Sequence, residues 1–274
     1  MAYQPPFTLT PAIIELISNI SEQLGRLSIQ GRSENLRLRR INHIRTIQGS
    51  LAIEGNTLSE QQITAIIDGK AIIAPPQEIQ EVRNATLVYQ QLTLWKADSE
   101  TDLLSAHQQL MKGLVDDAGY YRQGNVGVMK GDQVIHMAPP ANRVPILMNE
   151  LINWLSTTDV HPLIRSCVFH YEFEFIHPFS DGNGRMGRLW QTLILSRWKK
   201  LLAQLPVESE VFKHQSDYYA AINQSTIESN SSPFIHFMLT RIYSAITASL
   251  DATVETSVET SVEKNIKTPD KILA

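Results

Sequence analysis

The sequence predicts an all-α, mainly helical fold with one small β-hairpin, and three observations carry that reading. Apolar residues recur at helical spacing along most of the chain. Helix-capping signatures stand where those runs begin. One segment, residues 125–137, drops the helical period for short β-prone runs. At 274 residues the chain suits one large domain or two small ones and is long enough to bury a core. Its 43% hydrophobic and 19% charged content is that of a soluble globular protein.

Taken in order, Thr10-Pro11 reads as an N-cap with proline at the first helical position, and Ile13, Ile14, Ile17 and Ile20 follow at helical spacing. A second helix runs through residues 38–55 with the stripe Ile41, Ile44, Ile47 and Leu51, and Gly55 is its stop. Ser59 to Gln62 is a capping box, after which Ile63, Ile66 and Ile67 continue a helix. Pro75-Pro76 marks a break. Further helices are expected near 79–95, 101–114, 144–156, 162–175, 184–199, 216–224 and 233–249. Between them, NVGVMKGDQVIHM reads as a hairpin turning at Lys130-Gly131-Asp132, with an irregular loop as the alternative, and Pro139-Pro140 ends it. The repeat TVETSVETSVE at 253–263 is polar and of low complexity, which predicts a linker. After it, Thr268-Pro269 looks like a helix beginning.

Several classes are disfavoured. A net charge of −4 supplies no basic field for nucleic acid. The single cysteine, Cys167, excludes an internal disulfide or a cysteine-only metal cluster, and its apolar neighbours predict a buried inert thiol. The N-terminus lacks the basic and apolar regions of a signal peptide. No apolar run approaches the ~20 residues of a membrane span. A cytoplasmic protein is the expectation.

The chemistry concentrates in HPFSDGNGRMGR, His177 to Arg188. Gly182, Asn183 and Gly184 precede an amphipathic run, Leu189, Trp190, Leu193, Ile194 and Trp198, so a helix starts there. Bare backbone at a helix N-terminus admits an anion, although glycines alone would equally make an ordinary turn. Arg185 and Arg188 leave the first turn of that helix on nearby faces, where cations oppose the dipole unless an anion compensates them. Their forks suit phosphate oxygens. Asp181 has the chemistry to share Mg²⁺ with phosphates, or to cap the helix. His177 has the pKa range of a general base. Together these residues predict phosphoryl or nucleotidyl transfer.

This stretch resembles the active-site motif of the Fic (fido) family, His-Pro-Phe-x-Asp/Glu-Gly-Asn-Gly/Lys-Arg-x-x-Arg, at every defined position. The resemblance extends to AHQQLMKGL, GYYR, the hairpin with its Pro-Pro, MNELINWL and HYEFEFIHPF, and covers about residues 10–248. It implies transfer of AMP from ATP to a Ser, Thr or Tyr hydroxyl of a protein. His177 would accept the hydroxyl proton, and Asp181 would hold Mg²⁺, with Mn²⁺ as an alternative. Gly182, Asn183 and Gly184 would form the anion hole. Arg185 would contact the phosphates and Arg188 the γ-phosphate. Val126, Gly127, Val128 and Met129 would belong to a flap that grips the target by strand addition. Tyr218 and Tyr219 would line the adenine pocket. A lysine at 184 marks the branch resembling Doc, which transfers a terminal phosphate. Gly184 favours AMP transfer, and phosphocholine transfer is also known in the family.

A second stretch, SLAIEGN, resembles the family's inhibitory motif. Glu54 stands at the C-terminal end of its helix, the unfavourable end for an anion. By itself it reads as a solvated glutamate. The resemblance implies instead that it pairs with Arg188 and denies that arginine to the γ-phosphate, with Ser50 and Asn56 steadying the helix end.

The chain thus divides into an inhibitory helical region (1–96), a core (97–249) and a tail (250–274). The partners implied are ATP and a protein substrate, including the chain itself, with a homodimer compatible and no membrane. Nucleic acid enters only if a C-terminal domain follows. The alternatives are a hydrolase that removes AMP through Glu54, or a nucleotide-binding regulator without transfer.

Overall fold

The computed structural model describes residues 3–30, 36–130 and 133–266. The expected hairpin turn at 131–132 and the helix start after 267 lie outside the described residues.

Helix α1 (Pro11–Gln30) begins at the expected proline, and the Ile13 amide donates to Thr10 Oγ1 (3.3 Å). Ile13 and Ile20 are buried, whereas Ile14 faces solvent. Helix α2 (Leu36–Ile53) buries Ile44, Ile47 and Leu51 and stops where Gly55 takes φ +95°, a conformation glycine reaches without steric cost. Helix α3 (Glu60–Ile67) carries the expected capping box between Ser59 and Gln62. Helix α4 (Pro76–Gln90) starts at the proline pair, which serves as an N-terminal signal as well as a break. The chain expected as one helix to 95 gives way to a 3₁₀ turn, Leu92–Leu94. Helix α5 (Glu100–Leu110) is capped by Ser99.

Two short strands follow, β1 (Gly127–Lys130) and β2 (Gln133–Met137). They pair antiparallel from Gly127 opposite Met137 to Lys130 opposite Gln133, with a register shift between Val128 and Met129. The Ala138 amide donates to the Val126 carbonyl (3.3 Å) at their base.

Helices α6 (Val144–Thr157), α7 (Pro162–Ile176) and α8 (Asn183–Trp198) come next. The centre of the molecule is α7 packed on α8. Helix α7 is buried on nearly all sides, its polar His170 and Glu172 included. Cys167 lies within it, fully buried, and burial pushes its thiol up to about 12, so the thiol stays protonated and inert.

Helix α9 (Val207–Lys213) was not foreseen. Seven residues are too few to show a period, and only Pro206 and two early glutamates mark its start. It packs on α2. Helix α10 (Gln215–Glu228) leads into α11 (Ser232–Ile266), which lies along α1. The 253–263 repeat, expected as a linker, continues α11 as helix. A four-residue repeat is close to the 3.6-residue turn, so polarity alone was a poor guide to its backbone. Among the described residues, no helix is long and apolar enough to cross a membrane.

Candidate active site

The site is built where α7 ends and α8 begins. His177 caps α7 in the left-handed conformation (φ 50°, ψ 62°), a strained state for a residue with a Cβ that clusters at functional positions. Its amide still donates to the Phe173 carbonyl (2.9 Å). Buried Arg122, from the GYYR stretch, holds this corner. Its Nε donates to the His177 carbonyl (2.7 Å), Nη1 to the Gly124 carbonyl (2.8 Å) and Nη2 to the Pro139 carbonyl (2.5 Å). One guanidinium thereby ties the histidine turn to both ends of the hairpin segment.

The following loop is clasped by Asn183. Its Oδ1 accepts from the Phe179 amide and its Nδ2 donates to the Phe179 carbonyl, both at 2.9 Å. The Asn183 side chain therefore shapes the loop, and what this segment offers an anion is its backbone. Phe179 stacks face to face on His107 (centroids 3.6 Å apart). His107 Nδ1 accepts from the Gly119 amide (2.8 Å), which leaves the proton on Nε2 for the Asp181 carbonyl (3.0 Å). Burial lowers the His107 pKa to about 4, so it works as a neutral strut. Gly182 has φ +82°, and a Cβ there would come within 2.6 Å of Met111 Sδ. Glycine is required at that position on both counts.

Arg185 and Arg188, on the first turns of α8, are both buried. Arg185 donates from Nη2 to Asp181 Oδ1 (3.2 Å) and from Nη1 to Glu81 Oε1 (3.3 Å). Arg188 donates from Nε to Ser50 Oγ (3.2 Å), and from Nη2 to the Ser50 carbonyl (2.9 Å) and Glu54 Oε1 (2.6 Å). Ser50 is thus a direct partner of Arg188 as well as part of the helix end. The Glu54 carboxylate also overlies Gly184, where an added Cβ would run into Glu54 Oε1. An anion therefore sits on the N-terminal turn of α8, where backbone amides and the dipole favour one. Burial works against the Arg188 charge, but Glu54 more than compensates and raises its pKa above the ordinary value.

Around this pair stand further polar groups, some marked in the sequence and some not. Glu174, one turn before His177, is largely buried, with Oε2 4.0 Å from His177 Nδ1 and Oε1 3.8 Å from His170 Nε2. Burial raises its pKa to about 7, partly offset by Arg188 and reinforced by Glu54. The Ile53 carbonyl, left over at the end of α2, accepts from Gln215 Nε2 (2.7 Å) and the Tyr219 hydroxyl (3.5 Å). Asn56 uses Nδ2 to reach Glu81 Oε2 (2.8 Å) and accepts the Leu58 amide on Oδ1 (3.1 Å). Tyr218 departs from expectation. It is 1% exposed, and its hydroxyl is engaged with His170 Nε2 (3.0 Å). It therefore lies beneath the site, while Tyr219 remains half-buried at its rim.

His177, the 181–184 loop, both arginines, Glu54, Ser50 and Asn56 thus converge on the start of α8. Glu81, His107, Arg122 and Glu174 complete the surroundings. His107 and Arg122 lay in stretches already noted for resemblance. Glu81 had no local signal at all.

The Fic/DOC family model matches residues 97–195. A crystal structure of a Fic family protein from Desulfovibrio desulfuricans G20 is 51% identical, with a TM-score of 0.85 over 98% of this chain and 80% of that one. The chain belongs to the Fic family. Among curated relatives, the protein adenylyltransferase Fic of Nematostella vectensis is 32% identical over 204 residues, covering 70% of this chain and 45% of that protein. The Aedes aegypti protein of the same name is 33% identical over 214 residues, covering 72% of this chain and 39% of that one. This Fic chain therefore spans less than half the length of those relatives.

Proposed function

We infer that this Fic protein is a protein adenylyltransferase held inactive by Glu54. The observation that carries the reading is the Glu54 carboxylate, bonded to Arg188 Nη2 at 2.6 Å and lodged over Gly184. It occupies with a protein anion the place where an ATP phosphate would be held. The names of the curated relatives support the same chemistry.

In the open state Arg188 is free for the γ-phosphate. The amides of the 182–184 turn and Arg185 receive the other phosphate oxygens. The target hydroxyl oxygen attacks the α-phosphorus, the bond from that phosphorus to the β-phosphate oxygen breaks, and pyrophosphate leaves. The hydroxyl proton passes to His177. Such a displacement is helped chiefly by positioning and charge neutralisation. Among the described residues no three His, Cys, Asp or Glu side chains form a metal-binding group. Asp181, with its side chain 57% exposed, nonetheless fits the single carboxylate that Mg²⁺ commonly shares with substrate phosphates. Such an ion would neutralise charge on the departing pyrophosphate. The backbone of Val126 to Met129 is the strand edge offered to the target segment, and Tyr219 is the aromatic side chain available to adenine.

Incubation with α-labelled ATP and Mg²⁺ tests the reading. Glu54→Gly should raise protein labelling at least tenfold over wild type, since an inhibitory contact on a phosphate-binding arginine is lost. Glu54→Gly/His177→Ala should return it to background. Equal labelling of Glu54→Gly and wild type at saturating ATP would remove the inhibitory role.

A further inference from the structure

Glu81 stands on α4, 104 residues before Arg185 in sequence and outside the stretch matched by the family model. It is largely buried, and its two oxygens face different ways. Oε2 accepts from Asn56 Nδ2 at 2.8 Å, and Oε1 accepts from Arg185 Nη1 at 3.3 Å. A continuous chain of polar contacts therefore runs from the Leu58 amide through Asn56, Glu81 and Arg185 to Asp181. We propose that Glu81 is a positioning residue for Arg185, so that the N-terminal region supplies part of the phosphate site as well as its inhibitor. The proposal rests on the nucleotide-binding reading above.

The two motif arginines are held in different ways. Arg188 spends Nε and Nη2 on Ser50 and Glu54, and only its Nη1 is left without a hydrogen-bond partner among the described residues. Arg185 makes one contact to each of two carboxylates, and its buried Nε has no hydrogen-bond partner among the described residues. Glu81 thus fixes the plane of the Arg185 fork while donors remain for a ligand. That support matters because Arg185 leaves the first turn of α8, where the dipole disfavours a cation. A long side chain must also be ordered there before phosphates arrive. Its other holder, Asp181, is mostly exposed and is the residue that would turn to a metal ion. Glu81 is largely buried, braced by Asn56, and has no such competing duty.

The test is a double-mutant cycle on MgATP binding, measured by titration calorimetry in the Glu54→Gly protein, with ATP KM and kcat for labelling alongside. Glu81→Gln should weaken MgATP binding about tenfold and raise KM correspondingly. In a Glu54→Gly/Arg185→Ala protein the same substitution should change binding less than twofold, because the group it positions is gone. Unchanged binding in Glu81→Gln would overturn the proposal. So would tighter binding, which would make Glu81 a second latch, or an equal loss with and without Arg185, which would make its role merely structural. No MgATP binding by the Glu54→Gly parent would instead overturn the nucleotide reading, and this inference with it.

Discussion

Arg188 and Glu174 form the electrostatic centre of the site, and the fixed Arg188 charge acts on the titration of Glu174. Glu174 is faced by His170 and His177 on its own helix, by Arg188 on α8, by Glu54 at the end of α2, and by Tyr218 and Tyr219 on α10. Burial is the largest influence and raises its pKa from 4.5 to about 7. The folded protein therefore holds this proton more tightly than the unfolded chain. Its stabilising contribution is full below about pH 4.5 and is lost as pH rises through about 7. Glu174→Gln removes the titration and keeps the shape. The variant should match wild type in stability near pH 4.5 and exceed it by roughly 1–3 kcal/mol at pH 8. Urea unfolding at both pH values checks this. A stability difference that does not grow with pH would remove the linkage.

Among the elements, α2 carries the Glu54 contact on which the proposed inhibition rests, and its seat is set by one glycine. A Cβ at Gly49 would lie 2.6 Å from the Ser209 amide nitrogen and 2.8 Å from the Glu208 carbonyl oxygen. Those are backbone atoms of α9, and α9 is anchored by Glu208, which accepts from Thr192 Oγ1 (2.9 Å) and the Tyr89 hydroxyl (3.2 Å). Neither helix can yield by a rotamer change. Gly49→Ala should cost about 1–3 kcal/mol and, by lifting the helix end that carries Glu54, increase self-labelling. Denaturant unfolding and a labelling gel read the two effects, and a stable but silent variant would separate the packing from the latch. The same contact marks how much was legible in the sequence. The start of α1, the capping box of α3 and the start of α8 after the glycine turn were all readable, because each is written within a few adjacent residues. Helix α9 and the Glu81–Arg185 contact were not, because a seven-residue helix shows no period and a pair 104 residues apart has no local pattern. Tyr218 shows the converse limit. Its type suits an adenine pocket, but only packing decides whether a tyrosine faces the pocket or the core.

At the scale of the whole molecule, the N-terminal helices and the segment matched by the Fic family model are packed into one another. Helix α1 lies along α11, α2 against α8 and α9, and α4 against α5. The segment before α1 is strapped to the start of α11: the Ser231 amide donates to the Pro6 carbonyl (2.9 Å) and the Thr8 amide to Ser232 Oγ (2.7 Å). Tyr3 donates its hydroxyl to Glu172 Oε2 on α7 (2.6 Å). Removing residues 1–96 would therefore do much more than remove Glu54. It would uncover the apolar faces of α11 and α9 and leave Arg185 without Glu81, so truncation and Glu54→Gly should diverge. The 97–274 fragment should aggregate or melt without cooperativity, as expected of a core stripped of its packing partners. Glu54→Gly should keep a single cooperative melting transition, lowered by the loss of the carboxylate partner of buried Arg188. Calorimetry and light scattering on the two proteins decide the matter. A monodisperse, cooperatively melting fragment that labels as well as Glu54→Gly would mean that the N-terminal helices only inhibit, and that the core is complete without them.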